Sequence, residues 1–145
     1  MTNRLAGAAI FLITLSAVFA VGQDLPNPKL KFIRAKDVVL NSGMRFRMYE
    51  IEVVNRAEFP NELFVMAPDL PPCGRNTNAS RTLITVYNEK GDRIFGHCAV
   101  NSNEKLKALM IMVAADAKQP TKVFVDFNDR QENKTVRSNT VDVEN

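Results

Sequence analysis

The chain has 145 residues, 19 Lys and Arg against 16 Asp and Glu, two cysteines, one histidine and no tryptophan. Its formal net charge of +3 is scattered in both signs, with no basic stripe interleaved with aromatics, so a nucleic-acid role has no electrostatic footing. Any Ser–His–acid or Cys–His arrangement would have to use His97, the single histidine.

Met1 to Gln23 carries one basic residue, Arg4, followed by an uncharged run from Ala8 to Ala20 that ends in small residues. A short cationic region before an apolar stretch is the pattern of a secretory signal. It occupies residues 1–20, with cleavage after Ala20 or Gly22. A retained anchor is the other use of an apolar stretch of about 18 residues. The small-residue exit and the polar Gln23-Asp24 favour removal, so no stable membrane insertion is expected after cleavage. The expected location is secreted or periplasmic. Roughly 125 residues then remain, enough for one domain with its own core.

Exported chains meet an oxidising compartment in which two cysteines pair more often than they react. A metal pair would need further ligands, and a nucleophile would need a base beside it. His97 adjoins Cys98, but neighbours on a strand point to opposite faces. Cys73 and Cys98 therefore read as one disulfide. Closing a loop of about 25 residues contributes on the order of 3.5 kcal/mol in the chain-entropy model.

In chain order, residues 21–29 form an extended lead-in with Pro26 and Pro28, and the domain proper spans 30–145. Leu30 to Ile33 reads as a strand that continues, after an irregularity, through Lys36 to Leu40. Asn41-Ser42-Gly43 is a turn signal. From Phe46 to Asn55 the alternation is regular, with Tyr49, Ile51 and Val53 on one face and Glu50 and Glu52 on the other. Glu62 to Met66 reads as a brief apolar strand after Pro60. Pro68 to Ser80 is too rich in proline for regular helix.

Arg81 to Tyr87 and Arg93 to Val100 flank a five-residue link with Gly91 late in the turn, the pattern of a hairpin. Leu106 to Ala115 fits both helical spacing and alternation; its neighbours favour strand. Lys122 to Asn128 is a strand with Val123, Val125 and Phe127 inward, Asp129 to Lys134 a charged hairpin loop, and Thr135 to Glu144 a closing segment with Val141 and Val143 inward. Short strands separated by turn signals predict an all-β, two-layer antiparallel sandwich of about seven strands.

The segment Val123-Phe124-Val125-Asp126-Phe127, a polar loop, and Arg137-Ser138-Asn139-Thr140-Val141-Asp142-Val143 resembles the last two strands of a fibronectin type III domain. The chain departs from that family in lacking its core tryptophan and in carrying a cysteine pair, so the resemblance is to an immunoglobulin-like sandwich in the broader sense. It implies a binding module and names no ligand.

No catalytic set emerges, and no cofactor or metal site is expected. His97 reads as a surface or edge histidine on the Phe95 face. Asp92, Asp116, Asp126 and Asp129 read as solvated turn carboxylates, and no D-x-D-x-D-G calcium loop exists. Met44, Met48, Met66, Met110 and Met112 are soft ligands that, with His97, would suit Cu(I); core filling is their commoner use. Asn78-Ala79-Ser80 and Asn133-Lys134-Thr135 match the N-glycosylation pattern and mark loops as exposed.

The expected binding surface is the loop from Pro71 to Ser80, stapled at its base, where Arg75, Asn76 and Asn78 offer polar contacts. The expected function is a non-enzymatic module that binds an unidentified protein or glycan. A periplasmic copper or calcium carrier and a small inhibitor of an exported hydrolase are the alternatives.

Overall fold

The computed structural model describes residues 24–144, so the expected signal segment lies outside the described residues. Eight strands fold into two antiparallel sheets, and the only helices among the described residues are 3-10 turns of three to five residues. The strands are β1 (Leu30–Val39), β2 (Arg45–Val53), β3 (Thr82–Asn88), β4 (Arg93–His97), β5 (Leu109–Ala114), β6 (Lys122–Asp129), β7 (Lys134–Arg137) and β8 (Val141–Asp142). One sheet runs β1-β2-β5; the other runs β4-β3-β6-β7, with β8 continuing beyond β7 along the same strand, β6.

Alternating side chains build the core between the sheets. Tyr49, Ile51 and Val53 of β2, Leu109, Ile111 and Val113 of β5, Ile84 and Val86 of β3, and Val123, Val125 and Phe127 of β6 are all buried in one cluster. Phe127 sits at its centre, tilted against Phe59 at 5.2 Å and edge-on to Phe64 at 6.1 Å between ring centroids. Such aromatic pairs add about 0.5–1.5 kcal/mol beyond the area they bury.

Local sequence accounts for the departures from regular strands. The expected irregularity in the first strand is a β-bulge between Phe32 and Arg34, which turns Ile33 outward and lets one strand run to Val39. Glu62 to Met66 is not a strand. Asn61–Phe64 is a 3-10 turn instead, opened by Leu63 N–H donating to the Pro60 carbonyl at 3.2 Å. A strand would send the consecutive Leu63 and Phe64 to opposite faces, whereas the turn buries both. The ambiguous segment divides: Asn103–Lys107 is a 3-10 turn that buries Leu106, and β5 follows with its alternating residues inward.

The hairpin β3–β4 forms as expected, but its return strand stops at His97. The Cys98 carbonyl accepts the Ser80 N–H at 2.6 Å, which places Cys98 one residue past the strand rather than on it. At the C-terminus the closing segment breaks between β7 and β8. Ser138 Oγ accepts the Val125 N–H at 2.8 Å, and Asn139 spans the two sheets, its Oδ1 accepting Leu30 N–H at 2.7 Å and its Nδ2 donating to the Leu30 carbonyl at 3.3 Å.

The lead-in is fastened by one buried side chain. Asn55 Oδ1 accepts the Lys29 N–H at 2.8 Å, and Asn55 Nδ2 donates to the Asn27 carbonyl at 3.1 Å. Truncating Phe127 to alanine is expected to lower the unfolding free energy by about 3–5 kcal/mol, read from the urea midpoint at constant slope.

Candidate partner-binding loop and its base

The segment between the Asn61–Phe64 turn and β3 leaves and returns through one narrow neck. Ala67 N–H donates to the Ala79 carbonyl at 3.0 Å, and Arg81 N–H donates to the Val65 carbonyl at 2.8 Å. Cys73 and Cys98 are joined, with Cα atoms 6.0 Å apart across 25 positions of sequence. The expected disulfide is thus present, and it ties the loop to the end of β4.

At the tip the chain reverses within four residues. Cys73 and Asn76 exchange backbone hydrogen bonds of 3.2 and 3.0 Å around Gly74-Arg75. Gly74 has φ +62°, a left-handed conformation in which a β-carbon is strained. Asn76 Oδ1 accepts the Asn78 N–H at 3.0 Å, so this side chain shapes the turn. Arg75 and Asn78 are exposed; Ala79 and Ser80 are buried. Exposure of this first glycosylation motif therefore ends at its asparagine, while Asn133, at the β6–β7 turn, is exposed together with the two residues that follow it.

Beneath the loop lies a polar base that the sequence reading did not anticipate. Arg130 reaches into the neck, its Nε donating to the Ser80 carbonyl at 3.1 Å, its Nη2 to the same carbonyl at 2.5 Å, and its Nη1 to the Pro71 carbonyl. Ser80 Oγ donates to the Val100 carbonyl at 2.7 Å. Beside it Arg81 binds Asp129 in bidentate fashion, Nε to Oδ1 at 2.8 Å and Nη2 to Oδ2 at 2.6 Å. Asp129 Oδ1 also accepts the backbone N–H groups of Gln131 and Glu132.

Burial alone would raise the Asp129 carboxyl. The Arg81 guanidinium and the two backbone donors outweigh it and hold Asp129 below its ordinary value. Arg81 is raised in turn, chiefly by its hydrogen bonds to Asp129.

The other carboxylates divide. Asp92 and Asp116 are exposed at turns, whereas Asp126 is buried and receives Arg137 in bidentate fashion at 2.7 and 2.8 Å. Reading all four as solvated is therefore corrected for Asp126 and Asp129, each held by an arginine. The Arg137 guanidinium also lies 4.6 Å from the Phe124 ring centroid, and Phe124 stacks on Tyr87 at 5.2 Å. These planar groups stand side by side on the outer face of the larger sheet, a cation–π ladder. Only the alternation of Phe124 and Asp126 with the buried valines hinted at it.

His97 lies half-buried on β4, the edge strand of the larger sheet, as an edge histidine. It packs against the Phe95 ring at 5.1 Å, and its Nε2 is buried with no hydrogen-bond partner among the described residues. Burial pushes its pKa down. Of the five methionines singled out, Met48 faces Met112 directly across β2 and β5 and Met110 shares the same strand face, while Met44 and Met66 are exposed. Met66 pairs with Ser80 at the neck, and His97 lies on the other sheet, so the full Met and His set does not converge. No three His, Cys, Asp or Glu gather into a metal-holding group among the described residues. No helix of the described residues is long and apolar enough to cross a membrane.

No family model, curated protein or solved structure matches this chain.

Two pH effects follow from the buried groups. Asp129 is depressed in the folded state, so its stabilisation is complete above the unfolded value near pH 4 and is lost as pH falls through the folded value. Asp129→Asn is expected to cost about 3 kcal/mol at neutral pH, because it leaves Arg81 without its charge partner, and to flatten this acid-dependent part of the unfolding profile. His97 is also depressed on folding, so its stabilisation is complete above about pH 6.5 and declines as pH falls below it. His97→Gln is expected to remove that decline while leaving the one at lower pH. Chemical denaturation across a pH series reads both.

Proposed function

We propose that this chain is an exported, non-enzymatic immunoglobulin-like β-sandwich that binds a protein or glycan through the loop at 71–80. One observation carries the reading. Arg75 projects at the apex of a tight turn, with no hydrogen-bond partner among the described residues, from a loop held by a disulfide and by Arg130. A guanidinium offers five donors in a rigid fork, and ordering its support before contact lowers the entropic cost of binding. Asn78 lies exposed on the same loop and adds a donor and an acceptor.

The strand order supports the immunoglobulin-like reading. β1, β2 and β5 on one sheet with β3, β6 and β7 on the other correspond to strands A, B, E and C, F, G of that architecture. The Ser138-Asn139 segment that carries the family resemblance also has a physical use here, since it fastens the last strands to both sheets. Export, to the periplasm or the extracellular space, is supported by the disulfide.

Replacing Arg75 and Asn78 together by alanine is expected to weaken binding by about tenfold or more, the scale of an interfacial arginine anchor, with the melting temperature unchanged. Asn76 stays in place, because its side chain holds the turn. A glycan array and affinity capture from extracellular or periplasmic extract provide the readout. Binding unaltered by the double substitution would remove the loop from this role.

A further inference from the structure

The corner between the end of β4 and the entry to β3 holds two ties of the loop and two polar atoms that nothing satisfies. His97 Nε2 and Thr82 Oγ1 are the buried side-chain atoms with no hydrogen-bond partner among the described residues. His97 pairs with Ile84 across β4 and β3, and Thr82 stands two positions before Ile84 on the same inward face. One residue beyond His97, the Cys98 carbonyl accepts the Ser80 N–H at 2.6 Å and the Cys98 sulfur is bonded to Cys73. The imidazole therefore adjoins both groups that carry the loop on the β4 side. Buried polar atoms without partners regain water when their surroundings open, so a corner that gathers them opens more readily than the core.

The ionisable groups around this corner offer an imidazolium no counter-charge. On β3 the apolar Ile84 stands opposite the ring; Arg81, at the entry of that strand, is bound to Asp129, and Tyr87 lies on the outer face opposite Arg93 of β4. β5, which lies beside β4, has no ionisable side chain. Arg130 enters the corner at the Ser80 carbonyl, and as a cation it cannot hold a second positive charge. Asp69 and Arg75 of the loop and Glu104, Lys105 and Lys107 of the turn before β5 are exposed. No carboxylate forms an ion pair with His97 among the described residues. A proton on the buried ring would thus place an unpaired charge out of water, which is costly while the corner stays closed.

We propose, on the reading of 71–80 as the binding surface, that protonation of His97 opens the base of this loop, so that the chain holds its binding surface at neutral pH and loosens it in acid. The neutral ring suits the closed corner and the imidazolium suits an open one, where water reaches it. Above about pH 6.5 the ring is neutral in either form and the corner stays shut; as pH falls below that value the open form takes the proton first. A single proton drives the step, so opening grows by no more than about tenfold per pH unit. The apex of the loop is spared, because Cys73 and Asn76 bond each other there.

Amide exchange of the purified protein between about pH 7.5 and 5, a window above the one in which Asp129 titrates, tests this once rates are corrected for intrinsic exchange. The Ser80 amide is expected to lose protection several-fold, while Asn76 and the amides of β6 keep theirs. The His97 ring, followed by NMR in the same samples, is expected to titrate below about pH 6.5, with the loss at Ser80 levelling off below the pH at which the ring titrates. His97→Gln, which has no titrating ring, is expected to hold Ser80 protection constant across the window. Constant Ser80 protection in the unaltered protein overturns the proposal. So does a ring that titrates at or above its ordinary value, or a pH dependence that survives in His97→Gln. Amides of β6 that lose protection together with Ser80 assign the effect to the whole domain and also overturn it. Exchange and ring titration of the unaltered protein need no variant, so they decide the matter even where the substitution impairs folding. They also need no partner, so their outcome is separate from that of the capture experiment on Arg75 and Asn78.

Discussion

The bidentate pair between Arg81 and Asp129 is the constraint on which the loop end of the molecule depends. It joins the residue that enters β3 to the residue that ends β6, 48 positions apart in sequence. Charges that have left water need full hydrogen bonding to repay their desolvation. Here the arginine fork and two backbone donors meet the carboxylate. Arg130, the next residue, extends into the neck of the loop and ties the Ser80 and Pro71 carbonyls together. The disulfide acts on the same base from the side of β4, so two independent ties hold one short length of chain.

The two sheets share a core but treat their outer faces differently. The larger sheet covers its outer face with the Tyr87, Phe124 and Arg137 ladder and the Arg137–Asp126 pair. That arrangement satisfies a buried carboxylate and shields aromatic area at once. The smaller sheet has Met48, Met110 and Met112 in the corresponding place, beside Glu50 and its ion pair with Arg34. Both outer faces thus carry an arginine–carboxylate pair, and the smaller sheet ends at β5, where the backbone groups of Met110 and Met112 have no partner among the described residues.

Strands were legible wherever apolar and polar residues alternate across a single buried face, as in β2, β3 and β6. The Cys73–Cys98 bond was legible from cysteine count and expected compartment. Three kinds of feature were not. Glu62 to Met66 failed because consecutive apolar residues carry no period that separates a strand from a tight turn. The arginine–carboxylate pairs failed because they link residues of distant strands and leave no local pattern. The burial of His97 Nε2 was not legible because strand direction gives the face of this edge-strand residue but not the depth of that face. The loop itself was visible from its prolines, yet the sequence could not separate Asn76, which shapes the turn, from Asn78, which faces outward.

Asn139 bears on how the domain is made. Its side chain holds both backbone groups of Leu30, 109 positions earlier in the chain. A polypeptide delivered from its N-terminus exposes β1 long before this clasp exists, and until β5 follows, β1 can pair with β2 only as an isolated ribbon, which is marginally stable in water. The clasp on the edge strand β1 therefore waits until Asn139 has appeared. Contacts of such long sequence separation form slowly. The first strand of the smaller sheet thus stays unclasped while most of the domain is delivered, and it is fastened to the other layer only when the segment after β7 arrives.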